Sequence, residues 1–120
     1  MAEPNVVAVT SILGKTDVLS VTTTATAITT CAAEKLYKIN SLVVANIDGV
    51  NLADITVDLF RSSVAYKIVS TVTIPADSTL VVISKDMGVY LQEGDSLRCT
   101  ASANNDLQAF CSYEIIDDAV

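Results

Sequence analysis

The side chains best suited to chemistry are three cysteines and two pairs of acids. Cys31, Cys99 and Cys111 carry the thiols, and the chain has no histidine. Histidine is the commonest general base and the usual partner of a serine or cysteine nucleophile, so its absence argues against a hydrolase triad. Without histidine or a Cys-x-x-Cys pair, a structural zinc site has no ligand set either. We therefore predict no catalytic residue and no metal or cofactor at the thiols.

The two acid pairs have the residue types used for glycoside cleavage, but simpler roles explain them. Asp54 and Asp58 fall on the presumed solvent face of a strand, so they are expected to be solubilising. Glu93-Gly94-Asp95 has the composition of a turn whose acids accept backbone N–H groups. Either pair could in principle serve glycoside cleavage, but solubility and turn formation are the favoured explanations. The sequence thus favours a protein that is not an enzyme.

Bound ions and nucleotides are also disfavoured. Asp48-Gly49 is first of all a hairpin turn signal, and the twelve-residue calcium-loop pattern is absent. The four glycines each fit a turn, and none belongs to a phosphate-binding motif. We expect no cofactor.

Composition predicts one domain and excludes several partner classes. The 120 residues are 51% hydrophobic and 18% charged, which is enough apolar material for one core. The net charge of −7 and the scattered basic residues disfavour nucleic acid and anionic lipid. The N-terminal residues Met1 to Pro4 lack the features of a secretory signal, which favours cytoplasmic synthesis and reduced cysteines.

Apolar residues alternate with polar ones in short segments separated by turn residues, as in a β-sandwich. The fold predicted is therefore all-β, a single antiparallel β-sandwich of jelly-roll-like or immunoglobulin-like type. The segment Cys31 to Tyr37 has helix formers but is too short for a helix, so we expect a loop or one turn. The predicted strands are Val6 to Ile12, Asp17 to Thr30 with a break near Thr23, Tyr37 to Ile47, Ile55 to Arg61, Ala65 to Ile74, Thr79 to Lys85, Val89 to Gln92, Ser96 to Ala103 and Leu107 to Ile116.

The last two predicted strands are expected to form a hairpin. Their apolar residues must share one face, and a three-residue loop at Asn104 to Asp106 achieves this. That loop would place Cys99 opposite Cys111, and it offers an Asn or Asp for the left-handed position. Two small apolar side chains inside a sheet are the favoured interpretation of the two thiols, and a disulfide is the alternative.

Two segments have few charges to prevent pairing with another chain. One is the threonine-rich stretch 21–30, and the other is residues 1–15, a possible N-terminal arm or first edge strand ahead of a sandwich domain at 16–120. An arm would lie on a neighbouring subunit, whereas an edge strand would belong to the sandwich itself. The candidate interface residues are Val6, Val7, Val9, Ile12 and Leu13.

Several stretches resemble small virion structural proteins of tailed bacteriophages, notably those that infect marine cyanobacteria. They are Tyr37–Gly49 (YKINSLVVANIDG), Ala53–Ser63 (ADITVDLFRSS), Ile74–Asp86 (IPADSTLVVISKD), Leu91–Arg98 (LQEGDSLR) and Ala101–Ala103. The resemblance implies a β-sandwich subunit on the phage particle, made in the host cytoplasm and present in repeated copies. It carries over no catalytic residue.

Three functions remain after this comparison. The first is a capsid decoration or cement protein that binds the major capsid protein and stabilises the shell. The second is a neck, tail or fibre component with an adaptor or receptor-binding role, which predicts an exposed patch around Tyr66, Tyr90 or Phe110, although core positions are the favoured interpretation of these aromatics. The third is a lectin-like carbohydrate-binding module, which would need several aromatic side chains on one face.

Overall fold

The computed structural model describes residues 11–117, and nearly all of them lie in strands or tight connections. The only helical element in this range is a single 3₁₀ turn at Lys85–Met87. The strands are β1 (Ser11–Ser20), β2 (Thr26–Thr30), β3 (Leu36–Asn46), β4 (Ala53–Arg61), β5 (Val64–Ile74), β6 (Thr79–Ile83), β7 (Val89–Leu91), β8 (Ser96–Ala101) and β9 (Leu107–Asp117).

The strands form two antiparallel sheets that pack face to face. Sheet 1 has the order β1-β9-β3-β6, with β7 also pairing with β3, and sheet 2 has the order β2-β8-β4-β5. The paired strands are nested around the β4–β5 turn: β4 pairs with β5, β3 with β6 and β7, β2 with β8, and β1 with β9. The chain thus follows the path of one long hairpin that is closed by the β4–β5 turn and folded over to form two sheets. This arrangement is a jelly roll, and it confirms the predicted all-β sandwich.

The core lies between the sheets and is built from alternate residues of each strand. In β8, Leu97, Cys99 and Ala101 are buried, while the residues between them face outward. In β9, Leu107, Ala109, Cys111 and Tyr113 follow the same rule. The period-two pattern therefore reports faithfully which side chains face the other sheet.

Most predicted elements are confirmed, with one difference near the N-terminus. The predicted break near Thr23 separates β1 from β2, and the segment after Cys31 is a loop with a turn. However, the predicted gap between Ile12 and Asp17 is wrong, because β1 runs without interruption through Gly14. Residues 6–10 of the first predicted strand lie outside the described residues.

The predicted hairpin between β8 and β9 is wrong, because the two strands belong to different sheets. Cys99 pairs with Thr26 and Val57, whereas Cys111 pairs with Asp17 and Leu42. The apolar residues of both strands still share one core because they face each other across it. Alternation gives the side that each residue faces, and an arch between sheets satisfies that condition as well as a hairpin does. Asn105 does adopt the left-handed conformation expected in this loop.

Asp48-Gly49 also joins strands of different sheets and is not a hairpin turn. The Asp48 carboxylate accepts hydrogen bonds from the N–H groups of Val50 and Asn51, which lowers the pKa of Asp48. The buried Asn46 amide donates to the carbonyls of Asn51 and Ile74 and accepts the Asp48 N–H. These bonds fix the connection from β3 to β4.

Candidate interaction surface

An apolar row crosses the outer face of sheet 1. Val18 lies directly opposite Phe110, Phe110 opposite Val43, and Val43 opposite Val81, so the four side chains come from β1, β9, β3 and β6 in register. Directly opposite residues share a face, so all four point away from the core. Val18, Phe110 and Val81 are 67%, 39% and 57% exposed. We call Val18, Phe110, Val43 and Val81 the apolar row.

Rows rich in polar side chains border the apolar row on both sides. On one side lie Ser20, Gln108, Ala45 and Thr79, and on the other lie Thr16, Ser112 and Ser41. The Thr16 and Ser112 hydroxyls are 3.0 Å apart and share a hydrogen bond. A depression of about 310 Å³ lies beside Val18 and Phe110. An apolar centre with a polar border is the usual composition of a protein-binding patch.

The outer face of sheet 2 is polar, and its groups are paired with one another. The Arg98 guanidinium donates to both carboxylate oxygens of Asp58, at 2.9 and 3.3 Å, and lies 3.9 Å above the Phe60 ring. Beside this group, the Thr73 hydroxyl donates to Asp54 at 2.7 Å. These side chains therefore have their hydrogen bonds already made within the chain.

The prediction that Asp58 faces solvent is wrong. Its side chain is 3% exposed because the guanidinium of Arg98 covers it from the neighbouring strand. Strand alternation placed it correctly on the outer face, but the covering residue is forty positions later in the chain. A carboxylate on an outer face can thus be buried by an arginine that the local pattern does not reveal.

Asp95 keeps its predicted role in a turn and also forms an ion pair. Its carboxylate accepts the Gln92 N–H at 2.8 Å and is held by the guanidinium of Arg61. Burial alone would raise the pKa of Asp95, but the hydrogen bonds from Arg61 and Gln92 bring that pKa below its usual range. A depression of about 560 Å³ beside this turn is lined by residues 60–63 and 92–95.

The thiols lie inside the protein and are not bonded to each other. Cys31, Cys99 and Cys111 are all buried, and the Cys31 thiol donates a hydrogen bond to the Lys35 carbonyl at 3.2 Å. Burial, aided by the charge of Asp58, raises the pKa of Cys99 to about 12. Burial, aided by the charges of Cys99 and Asp17, raises the pKa of Cys111 to about 12 as well. A thiol with such a pKa is a poor nucleophile at neutral pH.

The predicted interface residues fall partly on β1. Ile12 and Leu13 are 56% and 61% exposed on this edge strand of sheet 1. Val6, Val7 and Val9 lie outside the described residues. Residue 15, the predicted end of an arm or edge strand, is in the middle of β1.

The aromatic residues divide into a buried pair and an exposed set. Tyr37 and Tyr113 are buried and stacked, with ring centroids 5.0 Å apart. Tyr66, Tyr90 and Phe110 are 55%, 41% and 39% exposed, so the favoured core interpretation of these three is wrong. Phe110 and Tyr90 are on sheet 1 and Tyr66 is on sheet 2, so they do not form one patch.

Sequence reasoning missed the apolar row because its members come from four strands that are distant in the chain. Each strand contributes one residue to the row, and a single outward apolar residue is ordinary for a globular protein. Only the strand order and register reveal that the four residues align. A second set of exposed aliphatic side chains, Ile47, Val50 and Leu52, lies in the β3–β4 connection.

Within residues 11–117, no cluster of three or more metal-ligating side chains is present. No helix in the same range is long and apolar enough to cross a membrane. Comparisons of the chain with protein-family models, with curated proteins and with solved structures found no match.

Proposed function

We propose that this chain is a non-enzymatic virion structural protein of a tailed bacteriophage, a capsid decoration or cement protein that binds the shell. The observation that carries the binding role is the apolar row on the outer face of sheet 1. The phage assignment rests on the sequence resemblance, above all in 37–49 and 74–86. The proposed partner is the major capsid protein, bound by many copies on each particle.

The apolar row supports docking because it is presented on a rigid surface. Strand register fixes the backbone positions of its four residues, and valine and phenylalanine have few side-chain torsions, so little conformational entropy is lost when a partner covers them. Each 100 Å² of apolar area removed from water contributes about 2.5 kcal/mol before association costs. A modest contact repeated over many shell sites would stabilise the particle substantially.

Several features favour a structural role over catalysis. Asp58 and Asp95 are engaged by arginines, and the thiols of Cys99 and Cys111 remain protonated at neutral pH. Jelly rolls occur in viral capsid domains and in lectins, so the fold is compatible with the proposal without selecting it. The row and its border support the binding role, and the sequence resemblance supports the phage assignment.

A binding measurement on shells of the phage that encodes this chain tests the proposal. We expect Phe110→Ser to lower the affinity for the shell on the order of tenfold, since an aromatic anchor at the centre of the patch is lost. Tyr66→Ser is the matched control, because it removes an exposed aromatic from sheet 2 and should bind as the wild type does. Equal binding by all three proteins, or no binding to the shell at all, would refute the proposal.

A neck, tail or fibre component with an adaptor or receptor-binding role is the second candidate. The exposure of Tyr66, Tyr90 and Phe110 favours it, because exposed aromatics are common at recognition surfaces. Low-resolution imaging of labelled protein on intact particles separates the two candidates. Density over the whole shell supports decoration, and density at one vertex supports the neck or tail.

A further inference from the structure

The free edge of β1 differs from the other sheet edges in the described part of the chain. β1 pairs with β9 from Ser11 to Ser20 without any register shift. In contrast, β2 and β6 have five residues each, and β2 also contains a register shift. β5 has register shifts and a left-handed residue at Thr71. Short or irregular edges resist pairing, whereas a long regular edge invites it.

The direction of the free backbone groups on β1 follows from one hydrogen bond. The Val21 N–H donates to the Leu107 carbonyl at 2.9 Å, so odd-numbered residues of this ladder point their N–H groups toward β9. The N–H and C=O groups of the even-numbered residues therefore point toward the free edge. These residues are Ile12, Gly14, Thr16, Val18 and Ser20.

We propose that β1 pairs with β1 of a second copy of this chain, antiparallel, about a two-fold axis at Thr16. An axis perpendicular to the sheet leaves the outer faces of both copies on the same side of the joined sheet. An odd-numbered residue can therefore lie opposite only an odd-numbered residue of the second copy, and an even-numbered residue opposite only an even-numbered one. Two registers of this kind overlap most of the strand. One is centred on Thr16 and pairs residues 12–20 with 20–12, and the other is centred on Lys15.

The charges on β1 select the register centred on Thr16. In that register, Lys15 lies opposite Asp17 of the second copy, and the same contact occurs twice by symmetry. The register centred on Lys15 places the two Lys15 ammonium groups opposite each other, which is destabilising. Within one copy, Lys15 Nζ is 3.7 Å from Asp17 Oδ1, and the two side chains are 53% and 25% exposed. Asp17 Oδ2 accepts the Tyr113 hydroxyl at 2.7 Å, so Oδ1 is the oxygen that can meet Lys15 of the second copy.

The apolar residues agree with the same register. Leu13 faces Leu19 of the second copy, so two leucines meet on the core side of the joined sheet. Gly14, which has open space where a Cβ would lie, faces Val18 of the second copy. The two-fold axis leaves both apolar rows on the same side of the continuous sheet.

Substitutions at the centre of the interface test the pairing. Thr16→Pro removes the outward N–H but leaves the odd-numbered bonds to β9 intact, as proline on an edge strand does. Thr16→Val is the matched control, because it also loses the hydroxyl contact with Ser112 but keeps the N–H. By sedimentation equilibrium, we expect a dimer for the wild type and Thr16→Val, and a dissociation constant raised on the order of tenfold or more for Thr16→Pro.

Charge reversal gives a second test that does not alter the backbone. Lys15→Glu places like charges opposite each other twice and should raise the dissociation constant. Lys85→Glu makes the same change in net charge at an exposed residue of the 3₁₀ turn and should leave the dimer unchanged.

Cross-linking identifies the register. Cα atoms of a hydrogen-bonded antiparallel pair are about 5.5 Å apart, within reach of a disulfide. Thr16→Cys should therefore cross-link two copies under mild oxidation, and Lys15→Cys should do so much less. A monomer at all concentrations, a dimer insensitive to both Thr16→Pro and Lys15→Glu, or preferential cross-linking of Lys15→Cys would overturn the proposal.

Discussion

The two outer faces of the sandwich differ in how far their side chains are paired with other groups of the same chain. On sheet 2, Arg98, Asp58 and Phe60 form one packed group, and the neighbouring acid Asp54 is bonded to Thr73. On sheet 1, Val18, Phe110 and Val81 of the apolar row are exposed, and Val43 between them is half-buried. The named side chains on the outer face of sheet 2 are paired within the folded chain, whereas the apolar row on sheet 1 is left exposed.

This difference separates residues needed for stability from residues available for binding. Removing one partner of a paired polar group leaves the other partner buried without compensation, which destabilises the fold. Removing an exposed apolar side chain costs the fold little. Substitutions on the outer face of sheet 2 should therefore lower the free energy of unfolding. Substitutions on the outer face of sheet 1 should instead lower the affinity for partners.

Arg98→Met should have the largest effect on stability. It leaves the Asp58 carboxylate, 3% exposed, without its guanidinium, and we expect the free energy of unfolding to fall by about 3 kcal/mol. The measurement is urea denaturation followed by circular dichroism. The double variant Asp58→Asn with Arg98→Met is the control and should recover part of the loss. A single variant as stable as the wild type would show that the pairing on sheet 2 does not hold the fold.

Alkaline pH should weaken the core beneath both faces. Folding raises the pKa values of Cys99 and Cys111 to about 12 from their ordinary value of 9.0. Groups with raised pKa values stabilise the fold fully below the unfolded value, and that contribution is lost as the pH rises from 9 toward 12. We expect the free energy of unfolding to be about 3 kcal/mol lower at pH 10 than at pH 7, about half of it from each thiol.

The matched test of this pH effect is Cys99→Ala. It removes one ionising thiol, so the loss of stability between pH 7 and pH 10 should be smaller than in the wild type. The same loss in both proteins would contradict the assigned role of the thiol. The two proteins are compared by how steeply the free energy of unfolding falls with pH, because the substitution also changes core packing at every pH.

The two phenylalanines of the outer faces allow a direct comparison with a smaller effect. Phe60→Ala removes the ring beneath Arg98, and we expect the free energy of unfolding to fall by about 1 to 2 kcal/mol. Phe110→Ala removes the largest side chain of the apolar row, and the expected loss is about 0.5 kcal/mol. Thermal unfolding of both variants measures the difference. Equal losses would remove the distinction between the two faces.

The sequence predicts the strands well because alternation is a local property. Every predicted strand between residues 17 and 117 overlaps an observed one, and the buried side of β8 and β9 is predicted correctly. Which strands pair with each other depends on segments that are far apart in the sequence. In a rolled-up hairpin most consecutive strands lie in different sheets, so turn residues such as Asp48-Gly49 mark arches as readily as hairpins.

The candidate site was the least predictable part for the same reason. Ile12 and Leu13 were predicted from their own segment, and they are exposed on β1. The apolar row requires the register of four strands, and the burial of Asp58 requires Arg98 from another strand. Alternation assigns residues to faces, but only the topology shows which of them meet.

Hydroxyl-radical labelling of the free protein and of intact phage particles tests the central claim most directly. The claim is that the outer face of sheet 1 is covered by a partner and the outer face of sheet 2 is not. We expect the labelling of Phe110 to fall several-fold on the particle, while that of Phe60, on the outer face of sheet 2, does not change. Unchanged labelling of Phe110, or protection of Phe60 equal to that of Phe110, would contradict the claim.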